Sequence, residues 1–142
     1  MKGERFLLDT CIFTHMVIEP DRLSKDVADI LNDYANTLYI SVESERELIV
    51  SFNNGEIVST KWKTAKDMID SITEEYSIQV LPLDENCMKT YAELELNTAQ
   101  KHKDPSDHVI ISQAITMKIP LISSDNKFDF YRGQGLELIY NE

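Results

Sequence analysis

Four acidic side chains occupy chain positions from which they could act together. Asp9 directly follows the short apolar run 5–8, and Asp125 follows the apolar run 119–123 with only Ser124 between. An acid at the end of a buried strand costs free energy unless it is paired or bound to a ligand. Asp107 lies in the first turn of the predicted helix that leads into the strand at 119–123, and Glu47 lies in the predicted helix that follows the second strand. The candidate set is therefore Asp9, Glu47, Asp107 and Asp125.

A cluster of four carboxylates favours one kind of chemistry. The four groups cannot all stay ionised at close range without a counter-charge. Mg²⁺ and Mn²⁺ supply that charge and prefer oxygen ligands. Such ions activate water and hold phosphoryl oxygens, so the set predicts metal-assisted hydrolysis of a phosphodiester.

Helix capping is the competing interpretation for several of these acids. Asp104 followed by Pro105 is typical of an N-cap with proline at the first helical position. Asp107 would then lie in the first turn, where a carboxylate interacts favourably with the helix dipole. Asp125 could cap a short helix after it. Capping explains Asp9 least well, because it ends a buried apolar run.

The elements that must position these acids alternate between strand and helix. Strands are predicted at 5–8, 38–40, 78–83, 119–123 and 136–140, and helices at 24–34, 42–52, 60–76, 84–101, 106–117 and 125–131. This order predicts an α/β fold, with a mostly parallel central sheet of about five strands flanked by helices on both faces. Ligand sites in such sheets lie outside the carboxyl ends of the strands. The acids should therefore meet at that edge.

Length and composition fit one domain spanning 1–142. Hydrophobic residues make up 42% and charged residues 27% of the 142 residues, as in ordinary globular domains. The two cysteines, Cys11 and Cys87, are too few for a disulfide framework, which favours a reducing, cytoplasmic setting. No uninterrupted stretch of hydrophobic residues exceeds three, since even the predicted strands at 5–8 and 119–123 include Arg5, Pro120 and Ser123, and the amino terminus is charged. Neither a membrane span nor a signal peptide is therefore expected.

The charge balance is acidic, with 25 acidic against 14 basic side chains and a net charge of −11. Such a surface repels nucleic acid at long range. It is consistent with solubility, with a cation site or with a basic partner. Two basic clusters could contact RNA or could be ordinary solvated faces: Lys61, Lys63 and Lys66 beside Trp62, and Lys101 and Lys103 flanking His102.

Four runs in order resemble the sequence blocks of the PIN domain family. They are FLLDTCIF at 6–13, ISVESEREL at 40–48, HKDPSDHVIISQA at 102–114 and LISSD at 121–125. The resemblance extends over nearly the whole chain, and it is nearest to the VapC-type toxins of bacterial toxin–antitoxin pairs. It implies a Mg²⁺- or Mn²⁺-dependent ribonuclease, dimeric, inhibited by a VapB-type antitoxin.

The resemblance also implies roles for individual residues. Asp9, Glu47, Asp107 and Asp125 would bind the metal, with Asp104 nearby, while Thr10 and Ser123 or Ser124 would orient the acids through their hydroxyl groups. The second run departs from the family, since Glu45 and Arg46 stand where apolar residues are usual. A helical wheel does not decide which of Glu43, Glu45 and Glu47 faces the site.

Other functions remain open from the sequence. Zinc could use His102, Asp104, Asp107 and His108, and Cys11 is a candidate nucleophile, although a small packed side chain is the simpler interpretation. A phosphoacceptor receiver domain would need an acid pair after the first strand, where Asp9 stands alone. A haloacid-dehalogenase-type phosphatase would need an aspartate at the position of Cys11. A PIN fold that binds metal or partners without useful catalysis is the main alternative.

Overall fold

A five-stranded sheet forms the centre of the computed structural model, which describes residues 3–142. Its strands are β1 (Arg5–Leu8), β2 (Thr37–Ser41), β3 (Gln79–Leu81), β4 (Leu121–Ser123) and β5 (Leu138–Tyr140). The strand order is β3-β2-β1-β4-β5, and every neighbouring pair in it is parallel. The predicted α/β class and parallel sheet are confirmed.

Helices cover both faces of the sheet. They are α1 (Thr10–Ile18), α2 (Lys25–Asn32), α3 (Val42–Asn53), α4 (Ala65–Glu74), α5 (Glu85–Glu93) and α6 (Pro105–Met117). Two 3₁₀ segments, Pro20–Arg22 and Asn126–Gln134, complete the described elements. No helix within residues 3–142 combines the length and hydropathy needed to span a membrane.

Alternate strand residues belong to two separate cores. Leu8 of β1 packs in a core with Ile12 of α1 and Met68 of α4. Its neighbour Leu7 points to the opposite face and packs with Ile110 of α6. This two-residue period is what a strand buried on both faces requires. Burial on both faces holds β1 in the middle of the sheet. Asp9, the next residue, therefore lies at the edge formed by the carboxyl ends of the strands.

One helix was missing from the sequence prediction, and two predicted helices had wrong boundaries, for identifiable reasons. Helix α1 was not predicted because residues 10–18 are almost uniformly apolar and lack an amphipathic period. The helix predicted at 60–76 begins only at Ala65, capped by Thr64, although Trp62 before it is buried in the core. The helix predicted at 84–101 ends at Glu93, and the chain then runs irregularly to Asp104.

Candidate active site

All four sequence-predicted acids line one cleft at the carboxyl edge of the sheet. The cleft has a volume of about 620 Å³. Its acidic lining residues are Asp9, Glu47, Asp107 and Asp125. Each acid comes from a different element, so the parallel topology brings together residues that are distant in the chain.

Asp9 is the most deeply placed acid, with only 5% of its surface exposed. It caps α1, its Oδ1 accepting a hydrogen bond from the Thr10 amide at 2.8 Å. Ser123 at the end of β4 donates its hydroxyl to Oδ2 at 2.8 Å. Burial raises the pKa of Asp9, against the opposing effect of the Ser123 and Thr10 hydrogen bonds. Two neighbouring central strands therefore hold this carboxyl in place.

Glu47, on α3, also lines the cleft. Thr10 donates its hydroxyl to Glu47 Oε1 at 2.7 Å and lies 2.8 Å from the Ser44 hydroxyl. Burial raises the pKa of Glu47, and the nearby charges of Asp104 and Asp9 raise it further. The first residue of α1 thus binds α3 to the site.

The two rival glutamates of α3 lie elsewhere. Glu43 forms an ion pair with Arg46, at 2.6 Å between Oε2 and Nη2, and accepts the Ser106 hydroxyl at 2.6 Å. The Arg46 guanidinium lowers the pKa of Glu43. Glu45 is partly buried but does not line the cleft. The structure therefore places Glu47, and neither rival, at the site, while Glu43 links α3 to α6.

Asp107, in the first turn of α6, is an acid with a strongly raised pKa. Burial, followed by the charges of Asp9, Asp104, Glu47 and Asp125, raises its pKa to about 8. Its Oδ2 lies 2.9 Å from His102 Nε2. Candidate ligand atoms of His102, Asp107 and Asp125 all lie within 4.8 Å of one another. A partly protonated carboxyl at neutral pH is one that a cation would readily ionise.

The remaining predicted residues have different roles. Asp104 caps α6, its Oδ1 accepting the Ser106 amide at 2.9 Å, and it is not part of the cleft lining. Ser124 lines the cleft, but its hydroxyl accepts a hydrogen bond from Asn141. Asp125 caps the 3₁₀ segment through the Lys127 amide at 2.9 Å and also lines the cleft. Capping and site placement are therefore compatible for Asp125.

The four residues considered for zinc do not converge. His108 is buried and donates Nε2–H to the backbone carbonyl of His102 at 2.9 Å, so that nitrogen is already used. The carboxyl of Asp104 is engaged as a helix cap.

Cys11 lines the cleft, yet burial and then the charge of Asp9 raise the pKa of its thiol to about 12. A thiol held protonated in this way is a poor nucleophile.

The cleft has the donor set that a hard divalent cation requires. Within residues 3–142, no lysine or arginine nitrogen lies within 4 Å of the carboxylates of Asp9, Glu47, Asp107 or Asp125. Burial lowers the pKa of His102, which disfavours the charged imidazolium beside Asp107. Oxygen donors without a protein counter-ion match the preference of Mg²⁺ and Mn²⁺.

One pair of substitutions separates the site glutamate from its structural neighbour. Glu47→Gln is expected to weaken Mn²⁺ binding by at least about tenfold, since it removes a charged oxygen donor. Glu43→Gln should leave Mn²⁺ affinity unchanged and cost about 1 kcal/mol of unfolding free energy, because Arg46 is largely exposed. Titration calorimetry and urea denaturation measure the two effects. Equal losses of Mn²⁺ affinity in both variants would contradict the assignment.

The lysine cluster around Trp62 is largely neutralised by acidic neighbours. Lys61 lies 3.7 Å from Glu75, and Lys66 lies 2.7 Å from Asp70. Opposite charges at this range reduce the field that the cluster presents to a polyanion. These lysines therefore form a mixed-charge surface.

Comparison with known proteins identifies the family. The model of the PIN domain matches residues 6–133. The chain belongs to the PIN domain family. No curated protein sequence matches the chain.

Solved structures show the same fold over nearly the whole PIN domain. VapBC2 from Rickettsia felis, bound to a DNA fragment from its promoter, matches with a TM-score of 0.70 and 21% identity, over 97% of this chain and 99% of that one. VapBC-1 from nontypeable Haemophilus influenzae matches with a TM-score of 0.68 and 22% identity, over 96% and 97%. DNA-bound VapBC from Salmonella typhimurium matches with a TM-score of 0.66 and 19% identity, over 96% and 98%.

Proposed function

We propose that this PIN domain is a divalent-metal-dependent endoribonuclease that hydrolyses RNA phosphodiester bonds, and that it is the toxin of a VapBC-type toxin–antitoxin pair. The observation that carries the proposal is the convergence of Asp9, Glu47, Asp107 and Asp125 on one open cleft. The structural neighbours support it, since several are complexes of VapBC systems.

The chain's own residues prepare the cleft for a cation and a phosphodiester. Asp9, Glu47, Asp107 and Asp125 would hold Mg²⁺ or Mn²⁺. An ion held there polarises a phosphoryl oxygen and lowers the pKa of an attacking water. Ser123 and Thr10 hold Asp9 and Glu47 in place before any ligand binds. A cation held there would cancel the local repulsion between these carboxylates and a phosphate, while the rest of the chain keeps a formal net charge of −11 + 4 = −7.

An apolar surface beside the cleft supports the antitoxin part of the proposal. Ile49 and Val50 on α3 are exposed, and Val58 after that helix is 82% exposed. Ile57, between them in the chain, lines the cleft itself. Exposed apolar groups at the rim of a functional cleft are typical of a partner-binding surface. A VapB-type antitoxin bound on this surface would cover the acids of the cleft. The proposal also includes a homodimer of this chain.

The experiment that tests the proposal is a cleavage assay with a mixed RNA pool. Wild-type protein is incubated with Mg²⁺, with Mn²⁺ or with EDTA, and a DNA pool of matched length is included. The expected result is that the protein cleaves the RNA pool and not the DNA pool, and that EDTA abolishes this cleavage.

The Glu43→Gln variant is the matched control, since Glu43 lies outside the cleft lining. It should cleave like the wild type. If the wild type binds Mn²⁺ and cuts no RNA in the pool, the catalytic part of the proposal fails, and a metal- or partner-binding PIN domain is the function that remains.

A further inference from the structure

A buried chain of hydrogen bonds stands behind Asp107. The Asn97 amide donates to the Tyr131 hydroxyl oxygen at 3.0 Å. That hydroxyl lies 2.9 Å from His102 Nδ1, and His102 Nε2 lies 2.9 Å from Asp107 Oδ2. Tyr131 is fully buried, and His102 is only 3% exposed. This series of hydrogen bonds therefore connects the protein interior to one oxygen of the Asp107 carboxyl.

The burial of Tyr131 favours one assignment of the protons, because its hydroxyl proton needs an acceptor within the protein. The Tyr131 oxygen accepts the Asn97 N–H, and its single proton is directed to His102 Nδ1. A neutral imidazole that accepts at Nδ1 carries its proton at Nε2. That proton is then donated to Asp107 Oδ2. The lone pair of His102 faces Tyr131 and not the cleft.

The surroundings of His102 fix its ring. Its amide donates to the Asn97 carbonyl, and its own carbonyl accepts Nε2–H of His108. The ring packs against Phe128, with centroids 5.4 Å apart. Lys101, directly before it, adopts a left-handed conformation with φ of 55°, which turns the chain inward. A ring held on every side can hold its partner carboxylate in one orientation.

We propose that His102 is a positioning residue, which holds the Asp107 carboxyl by donating to Oδ2 and so leaves Oδ1 for the cation. The inference rests on the proposed metal-dependent function. Ligation by His102 itself would require its proton to move to Nδ1, which would reverse the hydrogen bond with Tyr131 and leave the buried Tyr131 proton without its acceptor. His102 therefore orients a ligand and is not one.

The test compares two substitutions by titration with Mn²⁺ alone. His102→Leu removes the donor and is expected to weaken Mn²⁺ binding by about 10- to 100-fold. His102→Gln places an amide donor near the position of Nε2 and should restore most of the affinity. A structural role alone would not distinguish these variants in this way. Wild-type affinity in His102→Leu, or equal loss in both variants, would overturn the inference.

Two measurements on the wild type keep the inference testable if His102→Leu does not fold. Imidazole ¹⁵N spectra of the metal-free protein, recorded above pH 8 where the Asp107 carboxyl is ionised, should show the proton of His102 at Nε2. Electron spin-echo spectra of the Mn²⁺ complex should show no directly bound imidazole nitrogen. A proton at Nδ1, or a bound nitrogen, would overturn the assignment.

These readouts separate this inference from the proposed function. If the wild type binds Mn²⁺ but cuts no RNA, the ribonuclease proposal fails while the affinities still decide the role of His102. If the wild type binds no Mn²⁺, both fail, and the wild-type titration alone identifies that case.

Discussion

Asp9→Asn is expected to lower metal-dependent RNA cleavage by about 10³-fold without unfolding the protein. A metal ion contributes several kcal/mol of transition-state stabilisation, and each 1.36 kcal/mol is tenfold in rate. The asparagine side chain would keep an oxygen to accept the Thr10 amide but would lose the negative charge. The kcat/KM for a single RNA, measured with Mn²⁺, gives the effect.

Stability should change little in the same variant. Because burial raises the pKa of Asp9, its charge is a cost to the folded state, and a neutral amide removes that cost while the buried Ser123 hydroxyl loses its acceptor, so the two effects offset each other. Thermal melts in EDTA should therefore fall close together for the two proteins. Glu45→Gln is the matched control, since it makes the same carboxyl-to-amide change at an acid that does not line the cleft, and its cleavage rate should stay within a few-fold of the wild type. Wild-type cleavage by Asp9→Asn would remove Asp9 from the mechanism.

Metal-free protein is expected to lose stability as the pH rises from about 4 to about 8. The pKa of Asp107 is about 8 in the folded chain, against 3.8 for the ordinary side chain. Between those values the folded state holds a proton that the unfolded state has released, so the free energy of unfolding falls as pH rises. Burial raises the pKa of Asp9 and of Glu47 and so acts in the same direction.

Mn²⁺ should reverse this dependence. The ion displaces the proton from the carboxyl, so its affinity increases with pH, and a ligand that binds only the folded state stabilises it. Urea denaturation at several pH values, in EDTA and in Mn²⁺, measures both effects.

Asp107→Asn isolates the contribution of the one carboxyl. The pKa values of His15 and His102 are lowered by burial, and these two groups increase stability as pH rises. The difference between wild type and variant cancels the effect of His15, whereas His102 bonds to Asp107 and is part of what the variant measures. In EDTA the wild type should lose more stability across the range than the variant does. Parallel curves for the two proteins would show that Asp107 does not carry the dependence.

Local patterns were sufficient to predict the sheet and the edge at which the acids meet. Leu7 and Leu8 in an apolar run, with helices between successive runs, require a parallel sheet covered on both faces. Asp9 follows β1 directly and Asp125 follows β4 after one residue, so their common edge could be inferred from the sequence alone. The acids of the helices depended on where those helices begin.

Features that depend on tertiary contacts could not be predicted in this way. The position of Glu47 depends on its bond to Thr10, a residue of the helix that the apolar pattern conceals. Helix α5 ends at Glu93 without a glycine or proline that would have indicated this end in the sequence. The loop after it is instead held by hydrogen bonds of Asn97 to Tyr131 and Lys127, which are tertiary contacts.

His102 stands in the sequence as a candidate zinc ligand, since histidine near aspartate is the only local signal. Its partner Tyr131 lies 29 positions along the chain. The tautomer that separates a ligand from a hydrogen-bond donor is set by that distant hydroxyl. A sequence pattern contains no information on it.

The central place of β1 has a consequence for the chain during synthesis. Asp9 leaves the ribosome early, but β4, which lies beside β1, and Ser123, which bonds to Asp9, come more than a hundred residues later. At roughly 5–20 residues per second, that interval is on the order of ten seconds. A nascent chain therefore carries the first acids without the strand that completes their site. The cleft is therefore complete only when translation of this domain is nearly finished.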